Sequence, residues 1–232
     1  MPNWVLGERP SDRSHYYQPG EHLRIVSTGH ISRHKGIHLL VEAAAALRDR
    51  GHRNFSIDLI GKVGEPDIQV LARQLGVEPW VQFLGVWTQD DLPRHYEETR
   101  YDVFAFPTWS REPFGCAPME AGAYGAAMVM TQSCGVGEWF VDGVHCLKTA
   151  RTSEAFADVF EKILIGQIAL EPIARRGTDC IWRDFRIETL LPRIEKALAR
   201  AAARPREPAG PADEAYRLAL LAEKLVAAMM QE

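Results

Sequence analysis

Residues Leu23–Gly61, LRIVSTGHISRHKGIHLLVEAAAALRDRGHRNFSIDLIG, decide the fold. LRIVST is a short apolar run rich in β-branched residues and reads as a buried strand. The polar loop GHISRHKG follows it. Ile37, Leu40, Val41 and Ala44 then recur at helical spacing and form one apolar face. This helix ends near Gly51, with Arg48 and Arg50 in its last turn, where cations complement the helix dipole. FSIDLIG reads as a second strand, which completes a βαβ unit.

The alternation continues downstream. EPDIQVLARQLG reads as a helix with Pro66 near its start and Gly76 near its end, and WVQFLG as a third strand. A short helix is expected around Asp90–Thr99, with Thr88 and Asp91 spaced as a capping box. YDVFAF, AAMVMT and HCLKT supply three more strands, and helices over 153–165, 169–182 and 186–203 follow. The expected architecture is α/β, a doubly wound, Rossmann-like parallel sheet of about six strands covered on both faces. It occupies residues 23–203, with 1–22 as a linker or lead-in, 204–211 as a Pro-rich linker and 212–232 as a C-terminal helix.

Composition narrows the function. The 232 residues are 46% hydrophobic and 25% charged with a formal net charge of -4, which argues against a nucleic-acid or anionic-membrane partner. No apolar run approaches the ~20 residues of a membrane span. The N-terminus lacks the apolar core of a secretory signal, so an integral membrane protein is not expected. Cys116, Cys134, Cys146 and Cys180 form no C-x-x-C pair, which favours reduced, buried thiols in a cytoplasmic protein.

Ligands of open parallel sheets bind at the carboxyl ends of the strands. Glycine-bearing turns fall at that end, Gly29, Gly61, Gly85 and Gly115 among them. Arg111–Gly125, REPFGCAPMEAGAYG, follows the fourth strand there. Proline is tolerated in a helix's first turn, so Pro118 sets a helix start near Cys116 or Ala117. The amides of residues 114–117 then include open donors. Helical side chains lean toward the N-terminus, which turns Glu120 back to the rim that carries Glu112. Two carboxylates and a row of amides suit the hydroxyls and phosphates of a sugar nucleotide. The plainer alternative makes Glu120 a dipole-favoured first-turn residue and Glu112 a solvated loop residue.

The segment resembles the E-x7-E signature of the retaining, GT-B-fold glycosyltransferases, above all glycosyltransferase family 4. EPFGCAPMEAGAYGAAMVMT looks like that family's Glu-x-Phe-Gly run, and GVGEWFVDGVHCL like its following Gly-x-x-Glu segment. STGHISRHKGIHLLVEAAAAL is similar to its Gly-Arg-x-x-x-x-Lys-Gly helix start, VQFLGVWTQDDLPRHY to its strand and turn, and PNW to the opening of its interdomain linker. The likeness covers roughly residues 2–190.

It implies a C-terminal, donor-binding domain without a metal cofactor, whose substrate is a nucleotide-diphosphate sugar. Glu112 would hold donor-sugar hydroxyls, and the backbone at Phe114, Gly115 and Cys116 would meet the sugar or its phosphate. Glu120 would hold the ribose. Gly29 would belong to the donor site, and Lys35 would neutralise the diphosphate. Val86 and Trp87 would lie near the base. No single catalytic residue is assigned. The family's arginine after the first glycine is His30 here, which would weaken diphosphate binding or recruit Arg33, and its proline before the fifth strand is Ala127.

The resemblance also implies an acceptor-binding N-terminal domain, in cis or in trans, without which transfer would be poor. A non-catalytic nucleotide-sugar-binding or interaction module, or a GT-B-like sugar-nucleotide epimerase, are the alternatives. His30, His34 and His38 recur every four residues, but Gly29 and Gly36 bracket a loop, so no shared helix face and no metal site is expected. Cys116 has no histidine placed to activate it and reads as a packing residue. GKVG lacks the spacing of a phosphate loop, which leaves Lys62 as a solvated turn residue.

Overall fold

A computed structural model describes Val5 and residues 8–11, 13–88, 90–109 and 112–202. Its strands are β1 (Leu23–Thr28), β2 (Phe55–Ile60), β3 (Val81–Gly85), β4 (Val103–Phe106), β5 (Ala127–Thr131) and β6 (Leu147–Thr149). Between and after them run α1 (Ile37–Asp49), α2 (Asp67–Gln74), α3 (Asp91–Thr99), α4 (Ala117–Ala123), α5 (Ser153–Leu164), α6 (Leu170–Asp184) and α7 (Ile187–Ala202). The strands pair in the order β3-β2-β1-β4-β5-β6, all parallel. β4 and β5 are buried throughout, as continuous apolar runs in a sheet covered on both faces must be. One core packs Ile25, Ile57 and Val129 against Leu40 of α1 and Phe156 of α5. The other packs Val26, Phe104 and Met128 against Met119 of α4 and Ile181 of α6.

All six strands stand where the apolar runs placed them. The helices after the sheet shift by one or two residues at their ends, where fraying and capping blur a periodic signal. A 3-10 helix at Gly135–Trp139 was not foreseen. The Thr88 hydroxyl accepts from the Asp91 amide at 3.1 Å and donates to the Asp91 carboxylate at 2.7 Å. This pairing braces the turn that enters α3, but the N-cap is Asp90 and carries no side-chain cap, so Thr88 is not the N-cap that the capping box implied.

The lead-in is fastened to the base of the sheet. Tyr16 and Tyr17 are buried in the core. The Arg13 guanidinium donates to Asp102 at 2.5 Å, to the Tyr101 carbonyl at 2.6 Å and to the Arg100 carbonyl at 2.9 Å. Both members of that ion pair are 8% exposed. The chain divides into two units after Leu190. Residues 2–4, the Pro-rich linker at 204–211 and the helix assigned to 212–232 lie outside the described residues.

The strand order places the site. From β1 the chain winds one way through β2 and β3, then crosses back to β4 on the other side of β1. The loops leaving β1 and β4 therefore diverge and leave a crevice at their carboxyl ends.

Candidate functional site

A cavity of about 230 Å³ occupies that crevice. Thr28 of β1 and Phe106 of β4 form its base, and the loops that follow, including Gly29, His30, Lys35 and Glu112, form its walls. The two loops interlock because Gly36 has no side chain. It sits at φ 76°, and a Cβ there would fall 2.0 Å from the Pro107 carbonyl oxygen. This approach sets Lys35 opposite Glu112, and the Lys35 ammonium pairs with the Glu112 carboxylate. The Thr108 hydroxyl donates to the same carboxylate at 3.3 Å, while Thr131 holds the Thr108 carbonyl at 3.0 Å. The Glu112 backbone is fixed as well, since its carbonyl accepts from the Gly135 amide at 2.9 Å.

Phe114, Gly115 and Cys116 complete the wall. Gly115 passes so close to the Phe106 ring that a Cβ would lie 2.4 Å from it. Cys116 is half-buried, whereas Cys134, Cys146 and Cys180 are buried, and none of the four forms a disulfide. Burial raises the Cys134 and Cys180 thiols and pushes Cys146 up to about 12.

Glu120 does not line this cavity. It stands on the first turn of α4, and its amide donates to the Cys116 carbonyl at 3.0 Å. Its charge is felt by Tyr96, whose hydroxyl donates at 3.3 Å to Thr28 in the cavity base. The side chain reaches solvent, yet it stands in a hollow crowded by protein, and the lost hydration pushes its carboxyl pKa up. A raised carboxyl pKa means that the native state holds its proton longer than the unfolded chain. Stability should therefore fall as pH rises from the ordinary value of 4.5 through the raised one. Glu120→Gln is expected to raise the melting temperature at pH 8 and to lose that advantage toward pH 4.5. An unchanged melting temperature at pH 8 would contradict the desolvation.

Besides Glu120, three further residues named from the sequence are not brought to the cavity. Arg33 turns outward, with its guanidinium 2.7 Å from Asp67 and its amide donating to Glu65 at 3.1 Å. Val86, 73% exposed, and Trp87 stand at the carboxyl end of β3. The rim joins them to the cavity, because Gly29 donates to the Ile60 carbonyl at 2.9 Å and Gly61 to that of Gly85 at 2.7 Å. Trp87 stacks on His95 with ring centroids 4.3 Å apart. His95 Nε2 lies 2.9 Å from the Tyr101 hydroxyl, which donates to Asp58 at 2.6 Å. The sequence reading missed this support, whose one signal was an aspartate in the middle of a strand. His30 and His34 lie on the loop and His38 on α1; the His30 ring covers Gly64, and His34 meets Trp109 edge-on at 4.8 Å.

A six-stranded doubly wound sheet with its crevice at the strand reversal defines a Rossmann-like domain of the GT-B kind. Residues 8–179 match the family described as glycosyl transferases group 1, and the chain belongs to it. It is 31% identical over 182 residues to the lipopolysaccharide core biosynthesis glycosyltransferase LpsE of Rhizobium meliloti (strain 1021), covering 77% of this chain and 50% of that protein. It is 30% identical over 151 residues to a D-inositol 3-phosphate glycosyltransferase of Corynebacterium aurimucosum, covering 62% and 35%.

Anabaena Alr3699/HepE in complex with UDP superposes with a TM-score of 0.69 at 24% identity, over 78% of this chain and 49% of that one. The C-terminal domain of a glycosyl transferase group 1 family protein (LpcC) from Francisella tularensis gives 0.60 at 20% identity, over 73% and 89%. The chain thus spans half or less of the curated relatives' length. Among the described residues no helix is long and apolar enough to cross a membrane.

Proposed function

We propose that the chain is the donor-binding half of a retaining glycosyltransferase. It would take a nucleotide-diphosphate hexose and, joined in cis or in trans to an acceptor-binding domain, pass the sugar to an acceptor. The observation that carries this is the cavity at the β1/β4 reversal, where Lys35 and Glu112 meet. The Lys35 ammonium supplies charge to a diphosphate and stabilises it as it leaves. Glu112 accepts from sugar hydroxyls, Gly115 lines the same space, and Glu120 holds the ribose, with Val86 and Trp87 along the rim for the base. No metal is assigned to this donor site. UDP bound to HepE makes uridine nucleotides the first donors to try. Four cysteines without disulfides accord with a cytoplasmic setting.

Calorimetric titration with UDP, GDP and ADP and their hexose esters, with and without chelator, tests the reading. One nucleotide should bind in chelator, Lys35→Ala should weaken it about 100-fold, near 2.7 kcal/mol, and the chain alone should transfer little sugar. Failure of every nucleotide to bind would remove the proposal. Robust transfer by the chain alone would remove the need for a second domain.

A further inference from the structure

Lys35 and Glu112 are the one permanent cation and the one carboxylate among the described residues lining the cavity. They neutralise each other, so these residues offer an incoming anion no net charge. The carboxylate is also anchored. Thr108 donates to it, and its backbone is held by Gly135, whose approach to the Pro113 carbonyl leaves no room for a Cβ, which would lie 2.0 Å from that oxygen. Glu112 therefore stays beside Lys35 after a ligand takes the ammonium.

Two ligands meet that carboxylate differently. A free nucleoside diphosphate presents only anionic oxygens at its terminal phosphate, which a neighbouring carboxylate repels. A nucleotide sugar has one fewer ionisable oxygen there and carries hydroxyls that donate to the displaced carboxylate. We infer that Glu112 is a charge guard on Lys35, which favours nucleotide sugars over free nucleoside diphosphates. This rests on the donor-site reading above and adds a selectivity to it. The site would hold the donor and shed the nucleotide left after transfer.

The test is calorimetric titration of the full 232-residue chain and three variants with UDP, UDP-glucose, GDP and GDP-glucose. Glu112→Gln keeps the shape and removes the charge. It should bind the preferred nucleoside diphosphate about tenfold more tightly, a gain near 1.4 kcal/mol, with no gain for its glucose ester. Glu112→Ala, which removes the hydrogen-bonding oxygens along with the charge, should tighten the diphosphate as well and serves if the glutamine variant folds poorly. Unchanged or weaker diphosphate binding in both variants overturns the guard. Lys35→Ala separates the two readings. If it loses both ligands while the Glu112 variants fail to tighten the diphosphate, the donor site stands and the guard falls. If it binds both as the parent does, or if the parent binds neither, both readings fall.

Discussion

Arg13→Ala is expected to cost the folded domain about 3–5 kcal/mol. The substitution leaves Asp102 buried without its countercharge, at a position 8% exposed. It also strips the carbonyls of Arg100 and Tyr101 of a donor. Among the described residues Asp102 keeps only the Arg24 amide, at 3.0 Å, and one neutral donor does not compensate a buried carboxylate. Urea denaturation of the parent and variant measures the loss. The paired substitution Arg13→Met with Asp102→Leu removes both charges and should recover most of it. A cost under about 1 kcal/mol for Arg13→Ala would mean that the lead-in is not docked in solution.

Gly36→Ala is expected to be comparably damaging, and to the cavity as well as to stability. A left-handed backbone costs a non-glycine residue about 1–3 kcal/mol. The added methyl would also drive into the Pro107 carbonyl at 2.0 Å, where the obstacle is backbone and cannot rotate away. The loops carrying Lys35 and Glu112 must then separate, so nucleotide affinity should drop at least tenfold beyond any change in melting temperature. Calorimetry at a temperature where the variant remains folded separates the two effects. A variant that melts lower but binds as the parent does would show that the loop contact serves stability alone.

The sheet was legible because each strand is a short apolar run between breakers, and local pattern suffices for that. Pro118 likewise placed the start of α4 to within a residue. What sequence could not show are meetings between distant loops. Nothing near Lys35 announces that Glu112, 77 residues away, will neutralise it. Arg33 looked free to replace the missing arginine after Gly29, but Glu65 and Asp67 of the next βα connection draw it outward. The lead-in was read from its prolines and glycine as a connector. Its docking depends on Asp102, which looks in sequence like an ordinary residue before a strand.

The strand order also bears on how the chain is made. A ribosome releases β1, β2 and β3 first, and these three can pair at once. The inner edge of β1 must then wait, unpaired and apolar, until β4 has emerged and the long intervening loop has closed. Nascent chains are therefore most exposed to aggregation and to chaperones in that interval. The crevice spans this same junction, so only a chain that has closed it can hold ligand. A ligand bound there would stabilise finished molecules by mass action.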